Sequence, residues 1–300
     1  MAKEEFAVSY IQSVRKKAPG IGGNKLWYMY KRDFEGNKPL GRDKFEDIVN
    51  KYGLKVRQKI RKPKTTDSTH GLPLYPNLVK DFIPTAPNQL WVSDITYIPV
   101  WQSNSRYSFC YLSLILDAYS EEIVGWCVGN SLSTEYPLLA LDKALDRLKG
   151  IAKEDIKLIH HSDRGCQYAS LKYTEVLKKH GIRISMTECG DPKENAQAER
   201  INNTMKNELL KDMRFTCIDE VAVTVGAAVQ FYNEERPHMS IDMKTPLEAA
   251  KCTGEIRKRW NSFRQMHIKS AVGACIIPQK CLPLLPSPEM LLNNTVSVNP

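Results

Sequence analysis

The sequence has no apolar run approaching the ~20 residues that a membrane-spanning helix requires. Its opening, M-A-K-E-E-F-A-V, lacks the apolar core of a signal peptide, so neither a membrane protein nor a secreted one is expected. It has no C-x-x-C pair. The eight cysteines (110, 127, 166, 189, 217, 252, 275 and 281) stand mostly in apolar or strand-like settings, and the six histidines do not join them at metal-ligand spacing. That argues against a disulfide framework or a zinc site and fits the reduced thiols of an intracellular protein. Internal repeats are also missing. Acid is in short supply: 34 Asp and Glu face 43 Lys and Arg, for a net charge of +9. A surplus of that sign favours a polyanionic partner, because each phosphate neutralised releases condensed counterions.

What is present is enough for one large domain or two modest ones, with 42% hydrophobic residues in 300. Residues 4–17 have a helical pattern ended by Pro19-Gly20. N-K-L-W-Y-M-Y-K-R-D-F follows Gly22-Gly23 with Leu26, Met29 and Tyr30 on one side, and after Gly41 come Phe45, Ile48, Val49 and Tyr52 at helical spacing. Three short helices rich in Lys and Arg over residues 1–65 suggest a small helix-turn-helix-like module, a signature that a plain helical bundle with a solvated basic face shares. K-V-R-Q-K-I-R-K-P-K then forms a basic stretch whose Lys59, Arg61 and Lys62 are candidates for tracking a DNA backbone. Residues 66–87 read as a Pro-rich linker.

From Leu90 the pattern turns to strands. L-W-V-S-D-I-T-Y-I-P-V, Y-S-F-C-Y-L-S-L-I-L-D and E-E-I-V-G-W-C-V-G-N are joined by short turns, which predicts an antiparallel meander. A helix is expected from Ser133 to Lys149, a strand over Ile156–His160, a helix over Leu171–His180, a strand over Ile182–Met186 and a helix over 195–210. The order βββαβαβα predicts an α/β mixed sheet with helices on its faces, spanning 88–252 with C-terminal helices over 218–235 and after Thr245. A tail over 253–300, basic at first, is expected to be poorly ordered.

Three acids stand out. Asp94 lies mid-strand on an otherwise apolar face, where a carboxylate costs several kcal/mol unless a cation or donors compensate it. Asp163 follows an apolar strand at its C-terminal end, where α/β sheets place ligands. Glu199 belongs to a helix whose buried stripe is Ala198, Ile201, Met205 and Leu209. Its polar stripe, Asn195, Glu199, Asn202 and Lys206, sits beside that face. Thirty-five residues, 164 to 198, separate the last two acids. Each acid alone also has an ordinary reading, as a turn residue, an Arg partner or part of a solvated face.

The sequence around them settles more than the spacing. W-V-S-D-I-T-Y-I, D-A-Y-S-E-E-I-V-G-W, H-S-D-R-G-C-Q-Y, E-N-A-Q-A-E-R-I-N-N-T-M-K-N-E-L and F-Y-N-E-E-R-P-H-M-S-I-D-M-K-T-P-L-E-A, in this order, resemble the DDE transposases of bacterial insertion sequences that carry a retroviral-integrase core. The similarity is to the product of the second, longer reading frame of those elements. Some positions depart from the usual pattern: Lys193-Glu194 before Asn195, Arg200 after Glu199, Cys166 and Glu121.

The resemblance implies a ribonuclease-H-like core in which Asp94, Asp163 and Glu199 bind two Mg²⁺ (or Mn²⁺) ions for DNA cleavage and strand transfer. It implies DNA contacts at Asn195, Lys206, Arg164, Gln167, Arg200 and Arg236. It also implies element-end and target DNA as partners, a homo-oligomer on DNA, the product of a preceding reading frame as a further partner, and the nucleoid-bearing bacterial cytoplasm as location. A nuclease of the same fold without joining activity, or a non-catalytic DNA-binding regulator, would share the fold.

Overall fold

The computed structural model describes residues 2–37, 39–56, 71–103, 106–188 and 192–259, with single positions 266, 268 and 270 beyond them. By packing, the chain forms one compact unit to Trp260 and a second from Asn261, of which only those three single positions, all helical, are described.

The longest strand organises the first unit. β1 (Leu90–Trp101) buries both of its faces from Leu90 to Ser93 and alternates beyond. It pairs antiparallel with β2 (Tyr107–Asp117), from Trp91 opposite Asp117 to Trp101 opposite Tyr107. β3 (Ile123–Gly129) continues the meander beyond β2. On its other edge β1 pairs parallel with β4 (Ile159–Ser162), which pairs parallel with β5 (Arg183–Met186). The sheet order is therefore β3-β2-β1-β4-β5, the mixed sheet expected. β4 starts three residues later than the pattern suggested. Lys153–Asp155 make a 3-10 turn, and the parallel ladder begins only where Ile159 meets Leu90.

The turn D-A-Y-S between β2 and β3 is fixed by Asp117. This buried carboxylate accepts hydrogen bonds from the backbone N–H groups of Asn88, Tyr119 and Ser120 and from the Ser120 hydroxyl. Four donors fix its orientation, although burial still pushes its carboxyl above the ordinary range, so Asp117 is a structural acid.

Helices cover both faces. α4 (Glu135–Leu145), α5 (Cys166–Ala169) and α6 (Leu171–Lys179) close over Trp91, Ile115 and Val124. Ser170 caps α6 by accepting from the Tyr173 N–H. On the opposite face Val92, Ile98, Leu112 and Leu114 meet α7 (Ala196–Thr204) and α8 (Ile218–Glu234). α9 (Pro246–Ala249) starts with a complete capping box between Thr245 and Glu248 and Pro at the first turn, the start its T-P-L-E sequence predicts.

α1 (Ala2–Lys17), α2 (Gly23–Asp33) and α3 (Arg42–Lys51) have the apolar stripes expected of them, including Leu26, Met29 and Tyr30 on α2 and Phe45, Ile48 and Val49 on α3. Those stripes belong to the same buried cluster as Val92, Leu114 and Val225. The join is made at the end of the α7 rod. A one-turn π-helix, Met205–Leu209, follows α7, and the Gly20 N–H donates to the Glu208 carbonyl across it. The boundary expected near residue 65 lies outside the described residues, and the helices before it pack within the unit that runs to Trp260.

Gly125 is the place where α4 rests on β3. A Cβ there would strike the Ala140 carbonyl and press on Ala144. Backbone cannot yield as a flexible side chain does, so Gly125→Ala should cost ~1–3 kcal/mol or more. A denaturant titration should show the midpoint falling with an unchanged slope; an unchanged midpoint would mean that α4 does not bear on the sheet there.

Candidate active site

Val92, Asp94, Thr96 and Ile98 point from β1 toward α7 by strand alternation, so Asp94 looks at the helix that carries Glu199. Its Oδ1 accepts the Ile95 N–H (2.8 Å) and its Oδ2 accepts Nδ2 of Asn202 (2.8 Å). Two donors are fewer than Asp117 has. Burial, reinforced by the charges of Asp163 and then Glu199, pushes the Asp94 carboxyl up to about 7, against the opposing pull of Ile95 and Asn202. Asp163 and Glu199 thus both lie within electrostatic reach of Asp94. They are not closed into a cage: among the described residues, no group of three or more His, Cys, Asp or Glu is gathered tightly enough to hold a metal ion as it stands.

Asp163 leaves the sheet at the C-terminal end of β4, and its Oδ1 accepts the Gly165 N–H (2.9 Å). Gly165 has ordinary negative φ, so space is what it supplies. A Cβ would lie 2.9 Å from Asp163 Oδ1 and 3.2 Å from Gln167 Oε1. Glu199 sits half-buried in the first turn of α7.

Two amides pin α7 to β1. Asn195 Nδ2 donates to the Ser93 carbonyl (3.0 Å), and Asn202 holds Asp94. The Oδ1 atoms of both are buried with no hydrogen-bond partner among the described residues. Asn202 stood in the polar stripe but was not singled out; its position three residues after Glu199 was the available signal.

The other expected DNA contacts divide. Lys206, on the π turn, and Arg200 are exposed. Arg164 is half-buried and donates from Nε to the Thr187 carbonyl (2.6 Å), while buried Gln167 donates to the Leu132 carbonyl (2.9 Å). Both help to hold the loop after β4. Arg236 corrects the expectation. It is 3% exposed and forks onto Glu208 through Nε (2.6 Å) and Nη2 (3.2 Å), so it has no outward face for a DNA strand. Glu208 also takes Lys25 Nζ from α2 at 2.8 Å, a partner 183 residues away that no local pattern reveals. Lys59, Arg61 and Lys62 lie outside the described residues.

The five-stranded mixed sheet thus carries an acid on its central strand, a second at the end of the neighbouring parallel strand and a third on the covering helix. Residues 84–192, and again 180–246, match the family described as Integrase core domain. The chain is 36% identical over 209 residues to the "Insertion element IS600 uncharacterized 31 kDa protein" of Shigella sonnei, covering 69% of this chain and 74% of that one. It is 35% identical over 230 residues to the transposase of insertion sequence element IS629, also from Shigella sonnei, covering 77% and 73%. Among solved structures, the HTLV-2 integrase catalytic core domain in complex with magnesium aligns at 18% identity with a TM-score of 0.41, over 56% of this chain and 99% of that one. The chain belongs to the bacterial insertion-sequence DDE transposases with an integrase core. No helix among the described residues is long and apolar enough to cross a membrane.

The charge on Asp94 is a burden to the fold. Between its ordinary 3.8 and about 7 the folded state binds the proton more tightly than the unfolded one, so stability falls as pH rises through that window. Asp94→Asn removes the charge, and Asn202 can turn its amide so that its unpaired Oδ1 accepts from the new side chain. In EDTA at pH 8 this variant should melt ~5 °C above the wild type, with the gain vanishing near pH 4. A variant less stable than wild type at pH 8 would show that like-charge strain is not what surrounds Asp94.

Proposed function

We propose that Asp94, Asp163 and Glu199 are the catalytic acids of a DD(35)E polynucleotidyl transferase, and that they hold two Mg²⁺ or Mn²⁺ ions. The observation that carries this is Asn202 of α7 holding the Asp94 carboxylate of β1 (2.8 Å), which sets the helix of Glu199 against the strand beside which Asp163 leaves the sheet. Three carboxylates that disfavour one another's charge form an all-oxygen donor set, which suits a hard divalent cation and suits zinc poorly. When bound, such ions would supply Lewis-acid neutralisation of the charge that develops at the phosphodiester.

The protein's own part is placement. Ile95 and Asn202 fix the two oxygens of Asp94 on a strand buried in the sheet, and Gly165 fixes Asp163. Glu199 rides on a helix held to β1 by Asn195. Such prepaid orientation lets a water attack DNA for strand cleavage and a DNA 3′-hydroxyl attack for joining. Exposed Lys206 would meet the backbone beside the acids, and exposed Arg200 would meet it around the helix from them. The basic helices α1–α3 together with Lys59, Arg61 and Lys62 would grip DNA further away. The partners in this reading are element-end and target DNA, further copies of the chain assembled on that DNA, and the product of a preceding reading frame. The setting is the bacterial cytoplasm at the nucleoid.

The test is to incubate the full chain with element-end DNA and Mg²⁺ and to score nicked and joined products. Asp94→Asn, Asp163→Asn and Glu199→Gln should each lose both activities by at least ~100-fold, the equivalent of a few kcal/mol of transition-state stabilisation. DNA affinity should stay near that of the wild type. Activity retained by any one variant removes that residue from the set.

A further inference from the structure

On the side of α7 turned away from Asp94, a cavity of about 380 Å³ opens between three separate parts of the chain. Lys25 of α2, Arg200 and Thr204 of α7, Glu208 of the π turn and Arg236 after α8 line it. Three of those side chains are cations and one is a carboxylate, so the walls carry surplus positive charge. Glu208 is fully engaged, taking Lys25 on one side and the Arg236 fork on the other. His238, also in the wall, adds no negative charge. Its imidazole is held well below its usual range by burial and by the charges of Arg236, Lys25, Arg200 and Lys258, and therefore reports the same positive field.

Two further features describe the field behind the cavity. Arg236 Nη1 is buried without a hydrogen-bond partner among the described residues, so its charge adds to that field without itself reaching a guest. The Lys25 ammonium is pushed down to about 8 by burial and then by Arg236, although Glu208 touches it. Glu121, which faces Arg200 and lies 3.9 Å from His238, is a second carboxylate beside the cavity, so two carboxylates stand against Lys25, Arg200 and Arg236.

We propose that this cavity binds a phosphate group, from the DNA backbone or from solution, with Arg200, Lys25 and the Thr204 hydroxyl as its donors. Arg200 and Thr204 are four residues apart, one turn of α7, so both reach the cavity from one face of the helix. Lys25 comes from α2, so two separate elements supply the donors that a phosphate requires. Arg200 follows Glu199 directly, which sets the site about 100° around the helix from that acid. A strand running over α7 would then rest one phosphate on the flank of the helix away from Asp94, and α2 and α7 would hold it jointly. This rests on the reading that α7 faces DNA and adds a backbone-holding point where the N-terminal helices meet the core.

The experiment uses the full chain in EDTA, where no cleavage occurs. Two readouts are taken on wild type, Arg200→Gln and Thr204→Val: the melting temperature in inorganic phosphate against chloride at equal ionic strength, and the salt dependence of binding to duplex element-end DNA. Circular dichroism confirms folding, and Thr204→Val keeps the test open should Arg200→Gln fold poorly. The wild type should gain stability in phosphate and the variants should lose that gain. In DNA binding, Arg200→Gln should lower the slope of log Kd against log salt by about one. A reduced slope without a phosphate effect assigns the site to the DNA backbone, and a lost phosphate effect with an unchanged slope assigns it to free phosphate. Unchanged values of both in both variants would overturn the proposal. Because nothing here depends on cleavage, that result would leave the assignment of the three acids standing, and retained nicking by their amide variants would leave this site standing.

Discussion

The Asn202–Asp94 hydrogen bond joins α7 to the central strand, and much else in this molecule is arranged so that it can form. Burying a carboxylate on the inner face of β1 is expensive, and the cost rises with Asp163 and Glu199 close enough for their charges to be felt. One amide and one backbone N–H do not remove that cost. They fix the direction of the carboxylate while leaving its charge undercompensated. Asp117, on the adjoining strand, differs in its donors: four of them fix it in a turn, although burial raises its carboxyl as well. An acid that is oriented but not satisfied fits a site that is completed by a cation.

Around that point the fold supplies rigidity in one direction and connection in another. The sheet, with helices on both faces, fixes Asp94 and the start of the Asp163 loop. The α7 rod is held at its beginning by Asn195 on Ser93 and near its end by the Lys25–Glu208–Arg236 cluster. Glu208 is held down to about 2 by its two cations, outweighing the burial that would raise it. Removing one partner of such a buried group leaves the others uncompensated, so the cluster ties α2, the π turn and the segment after α8 into one body. Whatever loads the N-terminal helices therefore bears on the helix of Glu199.

Much of this was legible in the sequence because it is periodic. Two-residue alternation drew β1 to β3, and the stripe Ala198, Ile201, Met205 and Leu209 is fully buried as drawn. The T-P-L-E start of α9 follows from capping chemistry alone. What escaped was set by distant partners. Arg236 reads as a basic side chain ready for DNA until Glu208 is found beside it. The π turn at Met205–Leu209 hides in a helical pattern because one extra residue per turn leaves the apolar positions nearly in phase. The apolar stripes of α1 to α3 announced burial but not against what; only folding reveals that they share a cluster with the sheet. Resemblance named the acids, but not that Asn202 would hold one of them.

The most direct test of the central claim, that the three acids form an oriented and undercompensated cation site, is a Mn²⁺ titration of the full chain followed by electron paramagnetic resonance of the free ion. Wild type should take up Mn²⁺, and Asp94→Asn and Asp163→Asn should each weaken that uptake by roughly tenfold or more. Equal uptake by the wild type and both variants would contradict the account.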